Sequence, residues 1–233
     1  MMAPDPAQAV YDRLWNEAQA AFAAGQVKTD PYLSDRDSDP RRGMTLIIRP
    51  APEMIAQIGA VIDQLREIAP GQHFYHPDEL HLTLLALINA APGFDLETVP
   101  LETYRAALDD LFSWVRPFPL HFKGVSASRD TVLVCGYSPD GALNALRARL
   151  RESVARVGLG GALDQRYRIV TAHTTIMRFR TPPQNPLRLV EFLQSVHARD
   201  LGMFTVRRVD WVTNDWYLSS DRVRLLASYT LQE

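Results

Sequence analysis

The chain has 233 residues, of which 46% are hydrophobic and 22% are charged, as expected for a globular protein long enough to bury its own core. Its only cysteine, Cys135, excludes an intrachain disulfide and suits a reducing cytoplasm. The formal net charge of −2 argues against a protein that coats nucleic acid, but it allows a pocket for one nucleotide or one RNA end.

Targeting signals are not visible in the sequence. Residues 1–10 carry two prolines and one aspartate where a secretory signal would have a basic and then an apolar region. No apolar run approaches the roughly 18 residues that a membrane-spanning helix needs. We therefore expect a soluble, cytoplasmic protein that does not bind membranes.

Residues 1–42 are predicted to form an N-terminal helix and an acidic linker. The helix is predicted over about 6–24 from apolar residues at helical spacing, namely Val10, Leu14, Ala18, Ala21 and Phe22. An acidic stretch with four aspartates follows over 30–42. We interpret this stretch as a solvated linker, because it lacks the glycine and the closing glutamate of a calcium-binding loop.

Strands and helices alternate through the rest of the chain, which we treat as one domain over 43–233. Apolar periodicity and proline positions predict, in chain order, a strand at 44–49, a helix from Pro52, a strand at 80–88, a helix over about 104–115 and a strand at 118–125. The second series is a strand at 131–137, a helix over about 143–157, a strand at 168–179, a helix from Pro186, and strands at 204–212 and 223–231.

The same order of elements therefore occurs twice, in pseudo-repeats of about 43–127 and 131–231. The first strands are offset by 86 residues, from Thr45 to Thr131, and the middle strands by a similar distance. This pattern indicates an internal duplication. It predicts a bilobal α+β fold of duplicated β-α-β-α-β units, in which two antiparallel-rich sheets face a central cleft and the helices lie outside.

The middle strand of each half carries a histidine with a threonine two places later. These pairs are His81 with Thr83 and His173 with Thr175. Side chains at positions i and i+2 of a strand share a face, so each motif projects an imidazole beside a hydroxyl. One such pair alone is more often a structural, hydrogen-bonded pair. Equivalent placement in both halves favours a functional pair that meets across the cleft. The opposite face of the first strand is expected to pack on the helices through Leu82, Leu84 and Ala86.

These motifs resemble those of the 2H phosphoesterases, a family that includes bacterial 2′-5′ RNA ligase and 2′,3′-cyclic nucleotide phosphodiesterase-like proteins. The resemblance covers about residues 43–231, and it includes the runs His81-Leu82-Thr83-Leu84 and His173-Thr174-Thr175-Ile176-Met177-Arg178. It implies an enzyme that hydrolyses a 2′,3′-cyclic, or related ribose cyclic, phosphate on a nucleotide or an RNA end. The family's two-histidine chemistry implies neither a metal nor another cofactor.

The chemistry of the residues agrees with that implication. One histidine can remove a proton from water while the other gives a proton to the departing ribose oxygen, provided that their pKa values lie near neutrality. Thr83 and Thr175 would donate hydrogen bonds to the non-bridging phosphate oxygens.

Substrate-binding residues are predicted with less direct support from the pattern. Arg178 is a candidate for the phosphate, although strand alternation turns it away from His173 unless a bulge intervenes. Candidates for a base-stacking surface are aromatic or ring-bearing residues near the motifs, namely Phe74, Tyr75, His76, Trp216 and Tyr217, with Tyr217 preferred.

Three rival interpretations remain open. A metal hydrolase could draw its ligands from a cluster of four side chains, namely His73, His76, Asp78 and His81. A non-catalytic module could bind an RNA end or a nucleotide in the same pocket. RNA ligation, the reverse reaction, would use the same site and is expected only as a side activity.

Overall fold

Two antiparallel sheets organise the computed structural model, which describes residues 6–232. The strands are β1 (Arg42–Ile48), β2 (His73–Phe74), β3 (Leu82–Ala91), β4 (Phe118–Ala127), β5 (Thr131–Tyr137), β6 (Thr174–Arg178), β7 (Asp200–Val206), β8 (Arg208–Asp215) and β9 (Arg224–Thr230). The α-helices of the described residues are α1 (Pro6–Ala23), α2 (Pro52–Ile68), α3 (Leu101–Phe112), α4 (Ala142–Arg156) and α5 (Pro186–Val196).

The first sheet has the strand order β3-β1-β8-β9, and the second has the order β2-β6-β5-β4-β7. Each half of the chain gives two strands to the sheet of the other half: β2 and β4 lie in the second sheet, and β8 and β9 lie in the first. Strand β4 from the first half pairs with β5, and β8 from the second half pairs with β1. The predicted α+β fold with two antiparallel sheets is confirmed, and this exchange of strands joins both halves around one hydrophobic core.

Two predicted strands differ from the observed ones. The predicted strand at 204–212 is wrong, because the chain leaves the second sheet after β7 and enters the first sheet as β8. The predicted strand at 168–179 is shorter, since regular pairing begins only at Thr174. The preceding loop is anchored instead by an ion pair of 2.5 Å between Arg151 on α4 and Asp164.

Helix α1 packs across the cleft-facing side of the second sheet. Its buried face differs from the predicted stripe and comprises Ala7, Tyr11, Trp15, Ala18, Ala21 and Phe22. Tyr11 joins Leu133 and Cys135 of β5 in a small apolar cluster. Val10 and Leu14 lie at the side of the helix, where they line a cavity.

The acidic stretch after α1 is not the solvated linker that the sequence suggested. Asp39 is buried at 2% exposure, and Arg41 forms ion pairs with Asp39 at 2.7 Å and with Asp30 at 2.9 Å. Burial raises the pKa of Asp39, but hydrogen bonds from Arg41 outweigh it and hold that pKa below its ordinary value. Asp30 and Asp39 therefore hold the side chain of Arg41 in place through ion pairs.

Within residues 6–232, none of the helices is both long and apolar enough to cross a lipid bilayer.

Candidate active site

Both histidine-bearing strands contain a bulge at the same place. In the β1–β3 ladder Leu46 and Ile47 pair with Leu85 and Thr83, which leaves Leu84 without a partner in the ladder. In the β5–β6 ladder Val132 and Leu133 pair with Met177 and Thr175, which leaves Ile176 without a partner. Each extra residue lies three places after its histidine. The matched bulges support the internal duplication that the element order indicated.

A bulge reverses the alternation of side chains along a strand. Arg178 consequently faces the same cavity as His173 and Thr175, which simple alternation would not allow. In the first half the residue equivalent to Arg178 is Ala86. The expectation that Ala86 packs on the helices is wrong, because the bulge turns it towards the cavity that Thr83 lines. The two strands thus have a bulge at the same position, but one carries Arg178 where the other carries the uncharged Ala86.

His81 lies directly before β3 and is half-buried. Its Nδ1 atom lies 2.6 Å from the carbonyl oxygen of Glu79. Because a carbonyl only accepts hydrogen bonds, Nδ1 carries a proton, and Nε2 is left to accept or donate a proton in the cleft. The ring of Tyr75 packs edge-on against His81, with ring centroids 6.3 Å apart.

His173 occupies the equivalent position directly before β6 and is also half-buried. Its Nδ1 atom lies 2.9 Å from the hydroxyl oxygen of Thr171, which can donate or accept. Among residues 6–232, the Nε2 atoms of His81 and His173 have no hydrogen-bond partner. Each imidazole is therefore oriented by a hydrogen bond at Nδ1, and its Nε2 atom is left for a substrate.

The two motifs lie close together in the fold. Cα atoms of β3 and β6 approach within 8 Å, and the charge of His173 acts on His81. Arg147 of α4 joins the two strands, because its Nη2 donates to the carbonyl oxygens of Thr83 at 2.8 Å and Thr171 at 2.9 Å.

Burial makes both histidines poor proton acceptors. Burial lowers the pKa of His81 to about 4; the carbonyl of Glu79 opposes the shift, and the positive charges of Arg49, His173 and Arg178 add to it. Burial likewise lowers the pKa of His173 to about 4, and the charges of Arg147 and Arg178 add to this effect. The expectation of near-neutral pKa values is therefore wrong for these buried rings.

Arg178 is held in place without an acidic partner. Its Nε donates to the hydroxyl oxygen of Tyr75 at 2.8 Å. In the described part of the chain, no carboxylate oxygen lies within 4.0 Å of its guanidinium, although the charge of Asp130 acts on it. A cavity of about 390 Å³ beside His173 therefore presents a guanidinium whose remaining donors are available to an anion.

Tyr217 and Phe74 were predicted to bind the substrate, but neither ring is exposed where a base could stack on it. Tyr217 is 1% exposed, and its hydroxyl oxygen accepts a hydrogen bond of 3.0 Å from Nη2 of Arg41. Phe74 is partly buried against the main core, with the Arg66 guanidinium 5.6 Å from its ring centroid.

The aromatic side chains at the cavity are Trp216 and Tyr167. Trp216 is half-buried, with the guanidinium carbons of Arg41 and Arg166 at 4.4 Å and 4.3 Å from its ring centroid. Tyr167 is 60% exposed and lines the cavities of both motifs. Tyr167 was not among the predicted stacking residues because it lies beside a predicted strand, although the arginines on both sides of it, Arg166 and Arg168, are a signal for a nucleic-acid contact.

The four residues of the metal-hydrolase alternative point to different places. His76 contacts Asp78 on the surface at 2.5 Å, whereas His73 is buried beside the rings of Tyr75 and Tyr217. Over residues 6–232, no three side chains of histidine, cysteine, aspartate or glutamate are grouped to hold a metal ion.

Solved structures share this fold. The TT0787 protein of Thermus thermophilus is 18% identical and matches 81% of this chain and 97% of its own, with a TM-score of 0.62. ATU0111 of Agrobacterium tumefaciens strain C58 is 14% identical and matches 91% and 98%, with a TM-score of 0.58. E. coli LigT complexed with 3′-AMP is 19% identical and matches 84% and 100%, with a TM-score of 0.51.

A search of curated proteins finds no match to this sequence. The profile of the 2′-5′ RNA ligase superfamily, in contrast, matches residues 51–215, a stretch that includes both His-x-Thr motifs. The resemblance that those motifs indicated is thereby confirmed. The chain belongs to the 2′-5′ RNA ligase superfamily, the 2H phosphoesterases.

Proposed function

We propose that this protein is a metal-independent phosphodiesterase that hydrolyses a 2′,3′-cyclic phosphate at the end of an RNA or on a nucleotide. The observation that carries the proposal is the pairing of His81 and His173 at equivalent positions of two strands, with Arg178 free to bind an anion beside them.

In the proposed reaction a water molecule attacks phosphorus, and one P–O bond to the ribose breaks. One imidazole takes a proton from the water, and the other gives a proton to the departing ribose oxygen, so protons balance without a metal. Thr83, Thr175 and Arg178 stabilise the negative charge that builds on the non-bridging oxygens.

We assign the acid to His81 and the base to His173. Burial and neighbouring positive charges disfavour the protonated form of both rings. At His81 the Glu79 carbonyl, which accepts from Nδ1, opposes them directly, whereas at His173 only the charge of Asp130 does so. The assignment predicts that replacing the ribose leaving oxygen by a better leaving group rescues a His81 variant but not a His173 variant.

Substrate binding raises the pKa of a histidine in this mechanism, so that the ring takes up the missing proton from solvent. At about 4 Å and an effective dielectric constant of about 20, a phosphate anion stabilises an imidazolium by about 4 kcal/mol. That free energy equals about three pKa units, enough to bring a histidine of pKa about 4 close to neutrality. We therefore expect kcat to persist to higher pH than kcat/KM, because kcat reports the complex and kcat/KM the free enzyme.

Two features favour an RNA end over a free cyclic mononucleotide. Exposed Arg166 and Arg168 line the cavity of His173, where they would contact phosphates beyond the reacting one. Tyr167 is exposed and offers a ring surface for a base beyond the reacting nucleotide, whereas the Trp216 ring already contacts the guanidinium groups of Arg41 and Arg166. The LigT structures with ATP and 3′-AMP concern that protein alone and agree with nucleotide binding in this fold.

The test compares 2′,3′-cyclic AMP with a short oligoribonucleotide that ends in a 2′,3′-cyclic phosphate, both in excess chelator. The wild type should open both rings, with the higher kcat/KM for the oligonucleotide. Tyr167→Ala should reduce that preference, whereas Trp114→Ala, at a position 75% exposed outside the lining of the motif cavities, should not. No ring opening of either compound by the wild type would contradict the proposal.

A second candidate is a binding module without turnover, which would hold the phosphate in the same cavity through the guanidinium of Arg178. This candidate predicts tight binding of the oligonucleotide by calorimetry, with the cyclic phosphate recovered intact.

A further inference from the structure

We propose that Tyr11 of α1 and Arg147 of α4 are positioning residues for His173, so that the N-terminal helix is part of the catalytic unit. The inference rests on the proposed function for its kinetic consequence, but its structural part concerns the ring of His173 alone.

The segment before β6 lacks regular strand pairing. The ladder between β5 and β6 has Val134 opposite Thr174 as its last pair on this side. Continued in this register, the ladder would pair Cys135 with His173 and then Gly136 with Ala172. A Cβ atom on Gly136 would lie 1.9 Å from the carbonyl oxygen of Ala172, so only glycine allows this close approach. His173 follows this irregular junction directly.

The hydroxyl group of Tyr11 fills the position of the missing ladder bonds. It accepts hydrogen bonds from the backbone N–H groups of Ala172 at 3.1 Å and Gly136 at 3.2 Å, and it donates to the Gly136 carbonyl at 3.0 Å. Tyr11 is 2% exposed, so water cannot readily replace the hydroxyl if it is removed. A side chain of α1 therefore fixes the residue that precedes His173.

Arg147 fixes Thr171, the residue that precedes Ala172 in the chain. It is fully buried in α4 and has no acidic partner within 4.0 Å in the described part of the chain; its donors are bound by carbonyl oxygens, including that of Thr171 at 2.9 Å. The hydroxyl oxygen of Thr171 in turn lies 2.9 Å from Nδ1 of His173. Residues 171 and 172 are thus each held by one helix, and together they set the ring of His173.

The same arginine reaches the opposite motif. Its Nε donates to the carbonyl oxygen of Leu84, the bulged residue of β3, and its Nη2 to that of Thr83, both at 2.8 Å. One rigid guanidinium therefore sets the spacing between the two His-x-Thr motifs. A lysine at this position would keep the charge but could not bind three carbonyl oxygens in one plane.

The first test uses Tyr11→Phe, which keeps the ring and removes only the hydroxyl. We expect the Ala172 amide to exchange with solvent at least about tenfold faster, and kcat to fall about 10–100-fold with KM changed little, because a small displacement of a catalytic group has this scale of effect. The matched control is Tyr137→Phe, which removes a hydroxyl that donates to Gln8 of the same helix. It should leave kcat and the Ala172 amide as in the wild type.

The second test compares Arg147→Lys with Arg147→Met. Both should lower kcat, but the pKa of His173, followed by NMR of its ring, should rise only in Arg147→Met, which removes the nearby positive charge. If Arg147→Met does not fold, Arg147→Lys and Tyr11→Phe still test the geometry.

The outcomes separate this inference from the proposed function. Tyr11→Phe with a lower melting temperature but unchanged kcat and unchanged His173 ring resonances would overturn the positioning role. A wild type without phosphodiesterase activity would overturn the proposed function, while the amide exchange and ring resonances would still report on the positioning of His173.

Discussion

The strands that carry His81 and His173 match in register and differ in surroundings. Each histidine precedes its strand, each has a threonine two places later, and each strand bulges three places after the histidine. Yet Ala86 stands where the other strand has Arg178, and a backbone carbonyl binds one ring where a hydroxyl contacts the other. The matched bulges give the two histidines equivalent positions, and the unequal surroundings agree with the two different roles in proton transfer that we propose.

The largest effect is expected from removing either imidazole. His81→Ala and His173→Ala should each reduce kcat at least about 10³-fold, because general acid and general base act in one step and neither compensates for the other. His121→Ala is the matched control, since His121 contacts Asp200 on β7 at 2.8 Å and lines neither motif's cavity. A single variant that keeps more than about a tenth of wild-type kcat would break the pairing of the two strands.

The next effect concerns the charge found on one strand only. Arg178→Gln should reduce kcat/KM about 10²–10³-fold by removing a charge-assisted contact to the phosphate. Arg180→Gln, exposed two residues later, should change kcat/KM less than about threefold. Equal losses in both variants would mean that general positive charge, and not the side chain turned inward by the bulge, is responsible.

The two threonines should matter to a similar extent. Thr83→Ala and Thr175→Ala are each expected to lower kcat about 10²-fold, the scale of one transition-state hydrogen-bond donor. Thr→Ser variants at the same positions keep the hydroxyl and should stay within about tenfold of the wild type. A loss confined to one threonine would indicate that the phosphate lies against one strand and not between them.

The smallest effect is on stability. The folded-state pKa values of His81 and His173 lie near 4, below the ordinary value of about 6.5, so the unfolded chain binds more protons between these values. The free energy of unfolding should therefore keep its full value above about pH 6.5 and decrease as the pH is lowered towards 4. Replacing either histidine by asparagine should lessen that slope by up to about 1.4 kcal/mol per pH unit, measured by urea unfolding at several pH values. An unchanged slope would contradict the buried environment of that ring.

Local sequence patterns were sufficient for the elements that bury one regular face. Helix α2 opens at Pro52 as predicted, and β5 has the predicted bounds Thr131–Tyr137. Local sequence patterns were insufficient where the chain passes from the second sheet to the first. The stretch over residues 204–212 was predicted as one strand, but the chain changes sheet at its two central arginines, Arg207 and Arg208, between β7 and β8. Only pairing between distant strands reveals that change.

The same limit applies to the site. The spacing of His81 and His173 could be read from the sequence, but the bulge that turns Arg178 inward could not, because a bulge depends on the partner strand. Tyr11 and Arg147 carried one usable signal, since each polar group lies on the apolar stripe of a helix. Their hydrogen bonds to Ala172 and Thr171 join residues far apart in the chain, which no local pattern encodes.

The proposed mechanism requires the imidazoles of His81 and His173 to contact the same phosphate group. The most direct measurement follows the ring resonances of His81, His173 and His121 by NMR while 3′-AMP is added at several pH values. We expect the rings of His81 and His173 to shift with a single dissociation constant, with at least one pKa rising from about 4 towards neutrality, while the ring of His121 stays unchanged. A response from only one of the two rings, or different dissociation constants for the two, would contradict the shared site.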